Sequence, residues 1–316
     1  MKQSRIMIHI LVISFAFILF IAWDQHFNRK NGVTQTFSLV PYYEIYLITT
    51  DNQDQFWSEM NQGASDMAKL TNVNYYWRFP DERNVNKQIE VINQAIEDGA
   101  KALLVVADDP KRISGPIEDA KAKGIKVIYL DSPANEEAIT TLATDNYAAG
   151  VTAGERMIAT LKNKGIKEGS IGIINIKNKI PTNEREKGFR DALEKEQGYT
   201  LLPTKFSRSD PEEANVMAEK IIRENKDLVG LFGTNEGTTE GVGYANRDND
   251  NRFAAIGFDV SDLTKQLFEE GSLNAIIAQN PYTMGYLGMA EAIASLLGKN
   301  TGPKMINTGY TAIEKE

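Results

Sequence analysis

The sequence predicts an α/β protein of two doubly wound parallel-sheet lobes, and three observations predict it. Unbroken apolar runs alternate with amphipathic stretches along most of the chain. Strand starts near residues 43, 73, 102 and 126 are spaced like those near 171, 200, 228 and 253, at intervals of 30, 29 and 24 against 29, 28 and 25 residues. Each interval is close to the ~30 residues of a strand-helix-strand unit. In both passes Asp, Asn or aromatic residues stand just past the strand ends, where open α/β sheets bind ligands.

Tyr43 to Ile48 forms the first strand, and the loop after it leads through Asp54, Phe56 and Trp57 into a helix. Asn84 to Asp98 presents Ile89, Ile92 and Ile96 at helical spacing and stops at Gly99, a helix-ending residue. The runs Ala102 to Ala107 and Ser170 to Ile176 are apolar on consecutive residues, the pattern of strands buried on both faces of a parallel sheet. Lys126 to Leu130 ends on Asp131, Leu228 to Thr234 on Asn235, and Phe253 to Phe258 on Asp259. Pro211 to Glu224 places its proline where the first helical turn tolerates one.

With 316 residues, 42% hydrophobic and 25% charged, the chain has enough apolar side chains for two cores. It contains no cysteine, which excludes disulfides, thiolate metal sites and lipid modification of an N-terminal cysteine. Both histidines, His9 and His26, precede Asn31, so the body beyond can build neither a Ser-His-Asp triad nor a histidine metal site. Gly237, Gly241 and Gly243 lack the spacing of a nucleotide fingerprint, and no cofactor is expected. A net charge of -8 argues against nucleic acid, whose binding needs a basic face.

Ile6 to Trp23 is nearly all apolar and spans roughly 27 Å as a helix, close to the ~30 Å hydrocarbon core. Lys2 and Arg5 precede it, which leaves the amino terminus cytoplasmic and the body outside. The run ends Phe20-Ile-Ala-Trp-Asp24 without a small-x-small cleavage site. Residues 6–23 are therefore expected to be a single-pass anchor in the cell membrane and residues 24–41 a tether.

Several stretches of the body together resemble the sugar-binding type 1 periplasmic binding proteins, the ribose-binding protein group. They are Phe56-Trp-Ser-Glu-Met-Asn-Gln-Gly-Ala64, Val127-Ile-Tyr-Leu-Asp131, Ala143-Thr-Asp-Asn146, Glu184-Arg-Glu-Lys-Gly-Phe189, Phe232-Gly-Thr-Asn235, Ile256-Gly-Phe-Asp259 and Ile277-Ala-Gln279. The resemblance implies the periplasmic binding protein type I fold, with one lobe of residues 42–145 plus 280–308 and another of 146–279 plus 309–316, joined by a hinge of three segments. It also implies ligand contacts at Asp54, Phe56, Trp57, Asp131, Ser132, Asn183, Phe206, Asn235, Asp259 and Gln279, to which Arg185 is added as a cation within reach of the site.

The physics of a sugar suits such a set. Aromatic side chains cover the apolar C–H faces of a pyranose, charged carboxylates accept its hydroxyl protons, and Asn or Gln donates and accepts at once. Ser132 and Asn183 stand where the family often has arginine, so both cationic clamps are replaced unless Arg185, Arg208 or Lys179 reaches in. Asp54 likewise replaces an Asn of the ribose binders.

Binding without chemistry is the leading expectation, with closure on a monosaccharide, best guessed as a pentose such as D-xylose. The anchor and the missing lipid-modified cysteine favour a sensor. It resembles the membrane-anchored subunits, including clostridial xylose-sensing ones, that report occupancy to a LytS-type histidine kinase of a two-component system. The alternative partner is an ABC permease, in sugar transport. A carboxylate glycosidase using Asp131 and Asp259 is a less favoured class. Transcriptional repression is weaker still, because the apolar span occupies the place where the lac-type repressors of this fold carry their DNA-binding motif.

Overall fold

A computed structural model of the chain describes residues 43–315. The expected anchor at 6–23 and the tether at 24–41 lie outside the described residues. Among the described residues, no helix is long and apolar enough to cross a membrane.

The strands are β1 Glu44–Ile48, β2 Asn74–Arg78, β3 Ala102–Val105, β4 Lys126–Leu130, β5 Thr141–Ala143, β6 Gly169–Ile176 and β7 Tyr199–Leu201. They continue with β8 Lys205–Ser207, β9 Leu228–Gly233, β10 Ala254–Phe258, β11 Ala275–Gln279, β12 Met305–Asn307 and β13 Tyr310–Glu314. The helices are α1 Gln55–Thr71, α2 Val85–Glu97, α3 Pro110–Ala122, α4 Asn146–Asn163 and α5 Ile180–Leu193. After them come α6 Pro211–Glu224, α7 Glu236–Asp248, α8 Asp262–Glu269 and α9 Pro281–Leu296.

Two sheets carry the body. The first runs β2-β1-β3-β4-β5-β12 and the second β7-β6-β9-β10-β11-β13, with β8 also paired to β6. The two orders correspond: β2 and β7 lie at one edge, and the first strand of each lobe is flanked by that edge strand and by β3 in one sheet or β9 in the other. Pairing is parallel except at β13, which runs antiparallel to β11. In such an order the crevice opens where consecutive connections leave in opposite directions, between β1 and β3 and between β6 and β9.

Burial explains the apolar runs. In β1, Ile45 and Leu47 face one core while Tyr46 and Ile48 face the other, and β3 divides Ala102 and Leu104 from Leu103 and Val105 in the same way. The second sheet repeats this, with Ala254, Ile256 and Phe258 on one side of β10 and Ala255 on the other. A strand covered by helices on both faces has no polar face to show, so alternation disappears.

Sheet membership changes between β5 and β6, between β11 and β12, and between β12 and β13. Helix α9 packs back on α1 in the first lobe, and α4 on α5 in the second. The α1–α9 crossing is close because it meets at glycine: a Cβ on Gly63 would lie 2.0 Å from the carbonyl oxygen of Tyr282. This contact fixes the helix whose amino terminus opens on the cleft.

Candidate functional site

The cleft between the two sheets holds a cavity of about 70 Å³, several times the ~10–15 Å³ that a single water needs on that measure. Asp54, Phe56, Trp57, Asp131, Ser132, Arg185, Asn235, Asp259 and Gln279 all line it. They come from both lobes: six sit at carboxyl ends of strands or in the turns that follow, while Phe56 and Trp57 lie in the first turn of α1 and Arg185 lies in α5.

Asp131 and Asp259 occupy equivalent places, one residue past β4 and β10. Both have left-handed backbone, with φ of 58° and 70°, a region that costs a non-glycine residue about 1–2 kcal/mol. Neither caps a helix: Ser261 caps α8, and no helix follows Asp131 directly. The strained turn is the device that swings each carboxylate off its strand and towards the cavity. Ser132 donates its hydroxyl to Asp131 Oδ2 at 2.7 Å.

Asp259 is buried, and the Gln279 amide donates to its Oδ1 at 2.7 Å. Arg185 Nη1 stands 3.7 Å from its Oδ2. The same guanidinium donates to Asn146 Oδ1 and the Thr234 carbonyl at 2.8 and 2.9 Å, and lies 4.5 Å over the Phe258 ring. Burial raises the Asp259 pKa, while Arg185 and Gln279 oppose the shift. Asp259→Ala would strip this buried arginine of its counter-charge as well as remove a carboxylate from the cavity wall.

On the opposite wall, Phe56 and Trp57 form an edge-to-face pair with ring centroids 4.9 Å apart. Both line the cavity and both belong to the core behind it. Asp54 sits at the N-cap position of α1 yet makes no side-chain cap bond. Its Oδ2 lies 3.3 Å from Arg83 Nη2, and Arg83 also grips Asp51 at 2.6 Å. Burial pushes the Asp54 carboxyl up to about 7, with Arg83 pulling down and the charges of Asp51 and Asp259 pushing further up.

Asn235 caps α7, its side chain accepting from the Thr238 N–H and donating to Ser209. It is thus largely committed to holding the wall. Two of the expected contact residues stand elsewhere. Phe206 is exposed under the Lys177 ammonium, and Ser207 points inward in its place, since successive strand residues face opposite sides. Asn183 is exposed and accepts from Asn175 at 3.4 Å, while its helix neighbours Pro181, Thr182 and Arg185 reach the cavity. Of the three cations considered for the missing clamps, Arg185 and Lys179 line the cavity, whereas Arg208 is exposed and paired with Glu213.

Arg83 and Glu236 were not foreseen. Arg83 lies in the loop after β2 and supplies a further cation to the cavity wall. Its signal was available: an arginine past a strand end in the lobe that carries Asp51 and Asp54. Glu236 follows Asn235 and bonds the first backbone N–H groups of α1 across the cleft. Nothing local announces a partner 180 residues away.

Two buried polar atoms of the wall have no partner within the protein, Trp57 Nε1 and Gln279 Oε1. One is a donor and the other an acceptor, the demand that hydroxyl groups meet. Trp57→Phe removes an unpaired donor, so the ligand-free protein should keep its thermal midpoint within a few degrees. Affinity for a bound polyol should fall about ten-fold, from the ~1–3 kcal/mol of a lost buried hydrogen bond. Paired melting and calorimetric titration check both halves.

A profile of the family described as "Periplasmic binding protein domain" matches residues 45–300. The ribose import binding protein RbsB of Bacillus subtilis is 28% identical over 81% of this chain and 83% of its own. The xylose/arabinose-binding protein XylF of Sulfolobus acidocaldarius is 24% identical over 84% of this chain and 71% of its own. Among solved structures, a carbohydrate transporter solute-binding protein of Agrobacterium radiobacter in complex with D-arabinose superimposes with a TM-score of 0.82, at 26% identity, covering 87% of this chain and 95% of its own. An ABC transporter solute-binding protein of Agrobacterium vitis bound to α-D-tagatopyranose gives a TM-score of 0.81 at 25% identity, covering 86% and 94%. The family profile spans most of the chain, and the doubly wound fold superimposes on those of the solved relatives: this chain belongs to the periplasmic binding protein domain family.

Proposed function

We propose that this protein binds one monosaccharide between its lobes, a pentose such as D-xylose in the first instance, and performs no chemistry on it. The observation that carries this reading is the unsatisfied pair in the cavity wall, the Trp57 donor and the Gln279 acceptor, set among carboxylates and two aromatic rings. A polyol with an apolar face answers all of them at once. Relatives named for xylose, arabinose and ribose support a pentose. A glycosidase needs a carboxylate free to protonate a leaving group, whereas Asp259 is held by Gln279 beside Arg185.

The test is a thermal-shift screen of the purified protein against D-xylose, D-ribose, L-arabinose, D-glucose and D-galactose. A pentose should raise the midpoint most. A shift with none of them, or turnover of an aryl pentoside abolished by Asp131→Asn, contradicts the reading.

We also propose that the partner is a membrane histidine kinase rather than an ABC permease, with the binding body outside a membrane crossed by residues 6–23. Support comes from the apolar run without a cleavage site and from the absence of cysteine. Co-purification with a kinase sensor domain, increased by sugar, is the expected result. Co-purification with a permease instead assigns the protein to transport.

A further inference from the structure

We infer that Glu236 sets how readily the lobes close: it is a positioning residue that caps helix α1 from the opposite lobe, and that cap exists only in the closed form. The inference rests on the reading that the protein closes on a small ligand, and extends it to a residue outside the cavity wall.

The geometry is specific. The first N–H groups of a helix have no partner within it, and in α1 the residue in the cap position leaves them bare. Asp54 turns its carboxylate to Arg83 instead. Gln55 N–H donates to Glu236 Oε1 at 2.7 Å and Phe56 N–H to Glu236 Oε2 at 3.0 Å. One carboxylate thus spans two consecutive amides at the positive end of a helix, the favoured place for it.

Glu236 is free for this duty because its own helix is capped otherwise, by a complete capping box between Asn235 and Thr238. Its backbone is held firmly: a Cβ on the next residue, Gly237, would fall 1.8 Å from the Ser209 carbonyl oxygen. The same helix end is engaged a second time, since Gln55 Oε1 accepts from the Asp262 N–H at 3.0 Å across the cleft. The arrangement frees Asp54 for the cavity and hands its capping task to the other lobe.

Opening the lobes separates Glu236 from α1 and returns both amides and the carboxylate to water. A ligand shifts the equilibrium only by its differential contacts with the two states, so a bond made solely in the closed state adds to apparent affinity without touching the ligand. It holds the closed form together, and its loss acts on release more than on encounter.

The experiment compares wild type, Glu236→Gln and Glu236→Ala as the purified full chain. Stopped-flow binding of D-xylose and D-ribose gives the rates, and small-angle scattering without sugar gives the compactness. For Glu236→Ala the off-rate should rise five-fold or more while the on-rate stays within about two-fold, and Glu236→Gln, which keeps one acceptor, should fall between. At pH 4, where Glu236 is mostly protonated whether the chain is folded or not, the sugar-free thermal midpoint should move little, separating this role from a structural one. An off-rate equal to wild type overturns the inference. Where neither sugar binds the wild type, the reading of the ligand fails by itself and scattering decides: a larger radius of gyration in Glu236→Ala supports the cap, and an identical one overturns it.

Discussion

Arg185→Met should lower the stability of the ligand-free protein by about 3–5 kcal/mol, the cost of leaving a buried charge without its partner. At roughly 2–4 °C for each kcal/mol in a domain of this size, the thermal midpoint should drop by about 10 °C. The cause is local. Asp259 is buried and Arg185 is its only cation within ion-pair distance among the described residues. The guanidinium also ties α5 to Asn146 at the start of α4 and to Thr234 after β9. Methionine keeps an apolar stem over the Phe258 ring, so most of the loss should be electrostatic. The double change Arg185→Met with Asp259→Asn should recover more than half of it, because removing both charges of a buried pair costs far less than removing one. Thermal or denaturant melting of the four proteins completes the cycle. Equal loss in the single and double variants would mean that packing, not charge, holds Arg185.

The second large effect is a dependence on pH that runs against the usual acid lability. Stability of the closed, sugar-free protein should be highest on the acid side of neutrality and fall as the pH rises from about 4 to 8. Burial raises Asp54 from 3.8 to about 7 and Glu236 from 4.5 to about 8. Below the ordinary values both groups are protonated whether the chain is folded or not, and neither is penalised. Between the ordinary and raised values the unfolded chain has released protons that the native state keeps, so stability declines with pH. Above the raised values the decline is complete. Each pKa unit is worth about 1.4 kcal/mol, so a shift of about three units is worth roughly 4 kcal/mol for each group, and the two do not simply add because the Asp54 charge is part of the rise at Glu236.

Arg83 opposes the rise at Asp54, while Asp51 and Asp259 add to it; Asp54 and Asp259 in turn add to the rise at Glu236. The carboxylates shifted downward, Asp66, Asp191 and Glu213, belong to surface pairs, which contribute little. Thermal midpoints from pH 4.5 to 9 test this, with Glu236→Gln flattening the upper part of the curve and Asp54→Asn the lower. A midpoint that climbs steadily across that range contradicts the assignment.

The parts of this molecule that were legible in the sequence are those governed by local patterns. Six of the eight strand starts could be read because strands buried on both faces are continuous apolar runs of four residues or more, while β2 and the three-residue β7 were placed by the repeat spacing. The paired turns at Asp131 and Asp259 could be read because a polar residue ends such a run abruptly. Short pieces outside the repeat escaped: β5, β8 and β12 have three residues each, too few to carry a period, and unlike the equally short β7 they have no counterpart in the repeat spacing. The error at Phe206 is one of phase, since a shift of one residue on a strand exchanges the inward and outward faces. Asn183 fails for the helical counterpart of that reason, its neighbours in α5 turning to the cavity while it turns to water. Arg83 and Glu236 depend on partners brought close by the fold alone. Arg83 meets Asp51 and Asp54 through a loop beyond the sheet edge, and Glu236 meets α1 across the whole cleft. No window of sequence contains either relationship.

The central claim is that Trp57 of the first lobe and Asp259 of the second act on the same small polyol. It is tested most directly by calorimetric titration of the best-binding sugar into wild type, Trp57→Phe and Asp259→Asn. The account predicts one site per chain, weakened about ten-fold or more by either substitution. A wild-type isotherm with no saturable heat, or a sugar bound equally well after both substitutions, would contradict it.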